Sequence, residues 1–96
     1  MNERQLNPYI KDLLERIEAI DLDNPGLKTY LLPDRFHCCL IGHTNEGNAV
    51  YDYSTIIATL IEEEDMSLEE AAEYVDFNIL HVYLEKEVLH PIIVFS

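Results

Sequence analysis

Ser67-Leu68-Glu69-Glu70 is an S-x-x-E capping box, and no other feature of the sequence constrains the fold as tightly. In such a box the serine side chain accepts from the backbone N–H three residues on, and the glutamate side chain reaches back to the serine N–H. Two donors that a helix start would otherwise orphan are satisfied together, so a helix is expected to begin here. Leu68, Ala71, Ala72, Val75 and Ile79 follow at helical spacing as its expected core face, with Glu69, Glu70, Glu73 and Asp76 on the other side.

The remaining elements follow from the same kind of signal. Asn7-Pro8 pairs a good N-cap with proline at the first helical position. Ile10, Leu13, Leu14, Ile17 and Ile20 then trace one face of an amphipathic helix that the turn residues Asn24-Pro25-Gly26 stop. Phe36 to Ile41 is a short apolar run, His43 to Asn48 a polar turn, and Ala49 to Tyr53 a second run, so residues 36–53 are expected to form a hairpin. From Asp52 or Ser54 the period becomes helical, with Ile56, Ile57, Leu60 and Ile61 on one face and Asp52 placed to cap it. A closing hairpin is expected from Leu80 to Leu84 and Pro91 to Phe95 around Glu85-Lys86-Glu87. The order α-β-β-α-α-β-β predicts one small α+β domain over residues 1–96, with about three helices and a short antiparallel sheet. A chain of 96 residues buries roughly 65% of its unfolded surface, enough for one core.

Charge decides which partners such a domain can meet. Nineteen Asp and Glu stand against six Lys and Arg, for a net charge of −13. Residues 1–48 carry eight acids and five bases, whereas residues 49–96 carry eleven acids and Lys86 alone. Direct binding to nucleic acid or to an anionic membrane is disfavoured by repulsion. A basic protein is the compatible partner. Glu62, Glu63, Glu69, Glu70, Glu73 and Asp76 fall on two consecutive expected helices and form the candidate partner-binding face. Carboxylates three or four residues apart on a helix lie about 5–6 Å apart at Cβ and repel by roughly 0.2–0.5 kcal/mol per pair. A duplex spaces its phosphates about 3.4 Å apart along each strand, so such an array can occupy a cleft built for nucleic acid. An ordinary solvated helix face is the competing explanation.

Cysteine usage and the absence of long apolar runs point to a soluble protein of a reducing cytoplasm. Cys38 and Cys39 are adjacent, and a disulfide between neighbours strains the intervening peptide, so no disulfide framework is expected. Residues 1–6 are polar, without the apolar stretch of a signal peptide, and the longest apolar runs of about five residues fall well short of the ~20 that cross a bilayer.

Ile41-Gly42 with Ala49-Val50-Tyr51-Asp52-Tyr53 is one half of a longer pattern. The other half is Glu64-Asp65-Met66-Ser67, Glu69-Glu70-Ala71, Glu73-Tyr74, Asp76-Phe77-Asn78 and Pro91-Ile92-Ile93-Val94-Phe95. Residues 41–95 thereby resemble a family of small uncharacterised proteins of bacteria and their phages. That family has an AVYD(Y) strand, a helix, an EDGM-s-x-EEA-x-E-y-x-eFN helix and a closing tPiF strand. The chain departs from the pattern where Met66 follows Asp65 without an intervening glycine, and at Leu84-Glu85-Lys86-Glu87, where the family has a glycine-containing turn. The resemblance carries no catalytic residues; it implies a fold and a phage or prophage origin.

Chemistry-bearing clusters are sparse. His37, Cys38, Cys39 and His43 lack the spaced pairs of a zinc site, and on a strand the two cysteines would point to opposite faces. A thiol enzyme would need Cys38 or Cys39 with His43, His81 or His90, and no nucleophile elbow, phosphate loop or H-E-x-x-H motif accompanies them. No catalytic residue, cofactor or metal is therefore expected. The leading expectation is an acidic, non-enzymatic binding protein of phage type. It would block the basic nucleic-acid-binding surface of a host protein, such as a CRISPR effector, by mimicking nucleic acid. The alternative is a small structural or homodimeric module joined through an apolar strand edge at Val82–Leu84 or Ile92–Phe95.

Overall fold

The computed structural model describes residues 8–81 and 88–95. Helix α1 spans Pro8–Asp23, strand β1 Lys28–Thr29, and a 3₁₀ helix Asp34–Cys39. Strands β2 (Leu40–His43) and β3 (Ala49–Asp52) lead into helix α2 (Tyr53–Glu64) and helix α3 (Leu68–Val75). A single π turn, Asp76–Leu80, extends α3, and strands β4 (Val88–Leu89) and β5 (Ile92–Val94) end the described chain. The α+β class is as the patterning predicts.

Strand pairing differs from the all-antiparallel expectation. β2 and β3 are antiparallel, but β5 joins β3 in parallel, pairing Val50 with Ile92, Tyr51 with Ile93 and Asp52 with Val94. A second, two-stranded sheet pairs β1 with β4 in parallel. Parallel neighbours need a long crossover, and α2 with α3 supplies the one between β3 and β5. β4 and β5 belong to different sheets, and most of the first strand of the expected closing hairpin, Leu80 to Leu84, falls outside the described residues. Between β4 and β5 lies Pro91, which has no N–H for a ladder. Leu80 belongs to the π turn, while Asn7, the N-terminal residues 1–6, Val82–Leu84 and Glu85-Lys86-Glu87 lie outside the described residues.

Residues 36–39, expected as strand, form the last two thirds of the 3₁₀ helix. Pro33, with φ −52°, precedes it, and the Phe36 N–H closes the first turn on the Pro33 carbonyl at 2.8 Å. This winding sends both Phe36 and Cys39 into the core, at spacing three, where a strand would have separated them onto opposite faces.

The core collects Ile10, Leu13 and Ile17 of α1, Tyr51 of β3, Ile56, Ile57 and Leu60 of α2, and Ala71, Val75 and Ile79 of α3 and its π turn. Leu68 departs from its expected core place: at the first helical position it is 67% exposed. The buried Tyr51 hydroxyl accepts from the Leu32 N–H at 3.0 Å, and burial pushes its pKa from 10.0 up to about 12. No described helix is long and apolar enough to cross a membrane.

Candidate functional site

Two helix junctions place the acidic residues. Asp52 ends β3 and caps α2, its Oδ2 accepting from the Thr55 N–H at 3.0 Å and from the Thr55 hydroxyl at 2.7 Å. At the far end Asp65 adopts a left-handed φ of 58°, which stops α2 without a glycine. Ser67 then opens α3 through the complete capping box: its Oγ accepts from the Glu70 N–H at 3.1 Å, and Glu70 Oε1 accepts from the Ser67 N–H at 2.9 Å. Glu62 and Glu63 thus stand in the last turn of α2, where the helix dipole disfavours them, and Glu69 and Glu70 in the first turn of α3, where it favours them.

The six candidate carboxylates do not have equal roles. Glu62, Glu63, Glu69, Glu70 and Glu73 are exposed, and Asp76 is half-buried. Glu70 is committed to the cap. Asp76 pairs with His81, Oδ1 to Nδ1 at 3.0 Å, and the Asp76 carbonyl accepts from the His81 N–H at 3.1 Å. Both side chains therefore hold the ends of α3. Glu62, Glu63, Glu69 and Glu73 form the outward part of the set.

Arg35 is a structural residue that charge counting passes over. Its Nη1 donates to Glu64 Oε2 at 2.7 Å and its Nη2 to the Tyr74 hydroxyl at 2.7 Å. The guanidinium also lies 5.0 Å from the Phe36 ring centroid and 5.6 Å from that of Tyr74. One side chain so ties the 3₁₀ helix to both acidic helices, and no local motif around Asp34-Arg35 announces it. Phe77, 70% exposed beside these helices, is the largest apolar group there. Its position three residues before Leu80 on the polar side of the helical pattern is the only sequence sign of it.

The cysteines are placed differently from the strand geometry expected of them. In the 3₁₀ helix their side chains converge, with Cys38 Sγ 3.9 Å from Cys39 Sγ. Cys38 is exposed and Cys39 buried. Thr59 Oγ1 on α2 lies 3.8 Å from the first sulfur and 3.6 Å from the second. His43 Nδ1 instead faces the Thr44 carbonyl at 2.8 Å, and His37 Nε2 approaches Asp34 Oδ1 at 3.7 Å. Among the described residues no three His, Cys, Asp or Glu side chains gather as a metal site. No family model, curated protein or solved structure matches the chain.

Proposed function

We propose that the protein is a non-enzymatic acidic binder that covers a basic, nucleic-acid-binding surface of a host protein, as a phage-encoded inhibitor of the anti-CRISPR kind would. The carrying observation is the exposure of Glu62, Glu63, Glu69 and Glu73 on two helices joined by only three residues. Short-range Coulomb attraction between such carboxylates and a basic cleft raises the rate of encounter and penalises acidic competitors. Glu70 and Asp76 add negative charge nearby while fixing the ends of α3.

The test is capture from a bacterial lysate at low salt, followed by a high-salt wash. Recovery of a basic nucleic-acid-binding protein that the wash removes is the expected result, because screening at 1 M salt shortens the Debye length to about 3 Å. Recovery of nothing, or only of the protein itself, contradicts it.

A second reading has its own observation. Among the described residues β5 is an edge strand, its Ile92 and Val94 40% and 39% exposed, next to Phe95 at 62%. An apolar edge of this kind is a template for pairing with another copy. A dimer that persists in high salt by light scattering would favour this reading.

A further inference from the structure

We propose that Cys38 and Cys39 form a chelating dithiol site for a trivalent arsenical, their sulfurs standing 3.9 Å apart, within reach of one bridging centre. Bonds of about 2.3 Å meeting at the roughly 90–100° angles of a pyramidal trivalent centre set their two sulfurs about 3.3–3.5 Å apart. The two sulfurs therefore need to approach by about half an ångström to close the chelate. The site is built rather than incidental. Thr59 donates its only hydroxyl proton to the Thr55 carbonyl at 2.8 Å, which leaves its oxygen lone pairs facing both thiols. Arg35 contributes its carbonyl 3.7 Å from the Cys38 sulfur.

The class of ligand follows from the donors and the charge. Thiols select soft centres, and a zinc ion would need four ligands where two stand here. Cys39 is buried, so a charge persisting on its sulfur would go unsolvated. A soft monocation on two thiolates would leave a net negative complex inside a chain already at −13. An R–As=O species avoids this. The two S–H bonds and the As=O bond break, two As–S bonds form, and both protons leave with the oxygen as water. Arsenic stays trivalent and the product is neutral. Cys38, being exposed, captures the arsenic first, and Cys39 closes the ring from behind.

The test uses the whole chain with phenylarsine oxide, read by intact mass. One adduct per chain is expected, heavier by the reagent less one water. It should survive excess monothiol and be stripped by a 1,2-dithiol. Cys38→Ser, at an exposed position, should lose the monothiol-resistant adduct, and Cys39→Ser should lose it as well. Persistence of the adduct in Cys38→Ser would overturn the proposal, as would removal of the wild-type adduct by monothiol. Because adjacent cysteines in an unfolded chain also bind arsenic, the urea midpoint is measured with and without the reagent. A ligand that prefers the native state raises it. An unchanged or lowered midpoint would mean that the native geometry is not the binding form.

Discussion

Arg35 Nη1 lies 2.7 Å from Glu64 Oε2, and this contact turns the last carboxylate of α2 toward the body of the protein while its neighbours Glu62 and Glu63 face solvent. The acidic surface thus includes charges that hold the fold, such as Glu64, beside exposed ones. Several consequences can be measured.

Replacing Arg35 with alanine removes the Glu64 and Tyr74 hydrogen bonds and the stacking on Phe36 and Tyr74 together. The ion pair is partly exposed and alone contributes little. With the hydroxyl contact and the ring stacking, a loss of about 1–3 kcal/mol is expected in urea unfolding. Arg35→Lys should recover only part of it, since an ammonium cannot reach two acceptors as a planar fork does.

Ser67→Ala should cost about 0.5–2 kcal/mol through loss of the cap. Glu70→Ala should act on the same contact, so a double-mutant cycle of the two should show coupling. Glu73→Gln should behave oppositely. It relieves repulsion from Glu69 and Glu70 on the same helix, and the urea midpoint should rise by a few tenths of a kcal/mol in equivalent terms.

Gly47 has φ +105°, and a Cβ there would stand 3.0 Å from Ile20 Cγ2 and 3.3 Å from Thr29 Oγ1. Thr29 Oγ1 lies 2.7 Å from the Gly47 carbonyl and 2.8 Å from Asp21 Oδ1, so Thr29 does not yield freely. Gly47→Ala is expected to destabilise by about 1–3 kcal/mol. A midpoint equal to wild type would show that the turn relaxes.

Stability should fall at alkaline pH. Burial raises Tyr51 from 10.0 to about 12 and Cys39 from 9.0 to about 12. Both groups keep their protons longer when folded, so the unfolded chain binds fewer protons above pH 9 and stability declines from there toward pH 12. Below pH 9 the two groups contribute no slope. Tyr51→Phe should flatten the decline while lowering stability at neutral pH, because the Leu32 N–H loses its acceptor. Urea unfolding at about pH 8 and about pH 11 reads both effects.

Local signals made the helices legible and left the sheet obscure. The Asp52 cap, the Ser67–Glu70 box and the Ile10-Leu13-Ile17 stripe are short-range chemistry, and each lies where its residues indicate. The parallel pairing of Tyr51 with Ile93 joins residues more than forty apart, and no adjacent motif encodes it. Phe36 to Ile41 misled for a different reason: a continuous apolar run has no period, so strand and 3₁₀ helix look alike until Phe36 and Cys39 must share one core. For the candidate site, composition identified the acidic helices. The Ser67–Glu70 box already marked Glu70 as serving the fold, whereas nothing local marked Asp76, whose contact with His81 depends on geometry.

The proposed function stands or falls most directly on one comparison. The wild type and a Glu62→Lys, Glu69→Lys, Glu73→Lys triple variant, shown equally folded by circular dichroism, are used side by side to capture protein from the same low-salt bacterial lysate. Wild type should retain a basic nucleic-acid-binding protein that high salt releases, and the variant should retain little or none. Equal capture by both, or capture that high salt leaves in place, would contradict an electrostatic partner surface on α2 and α3.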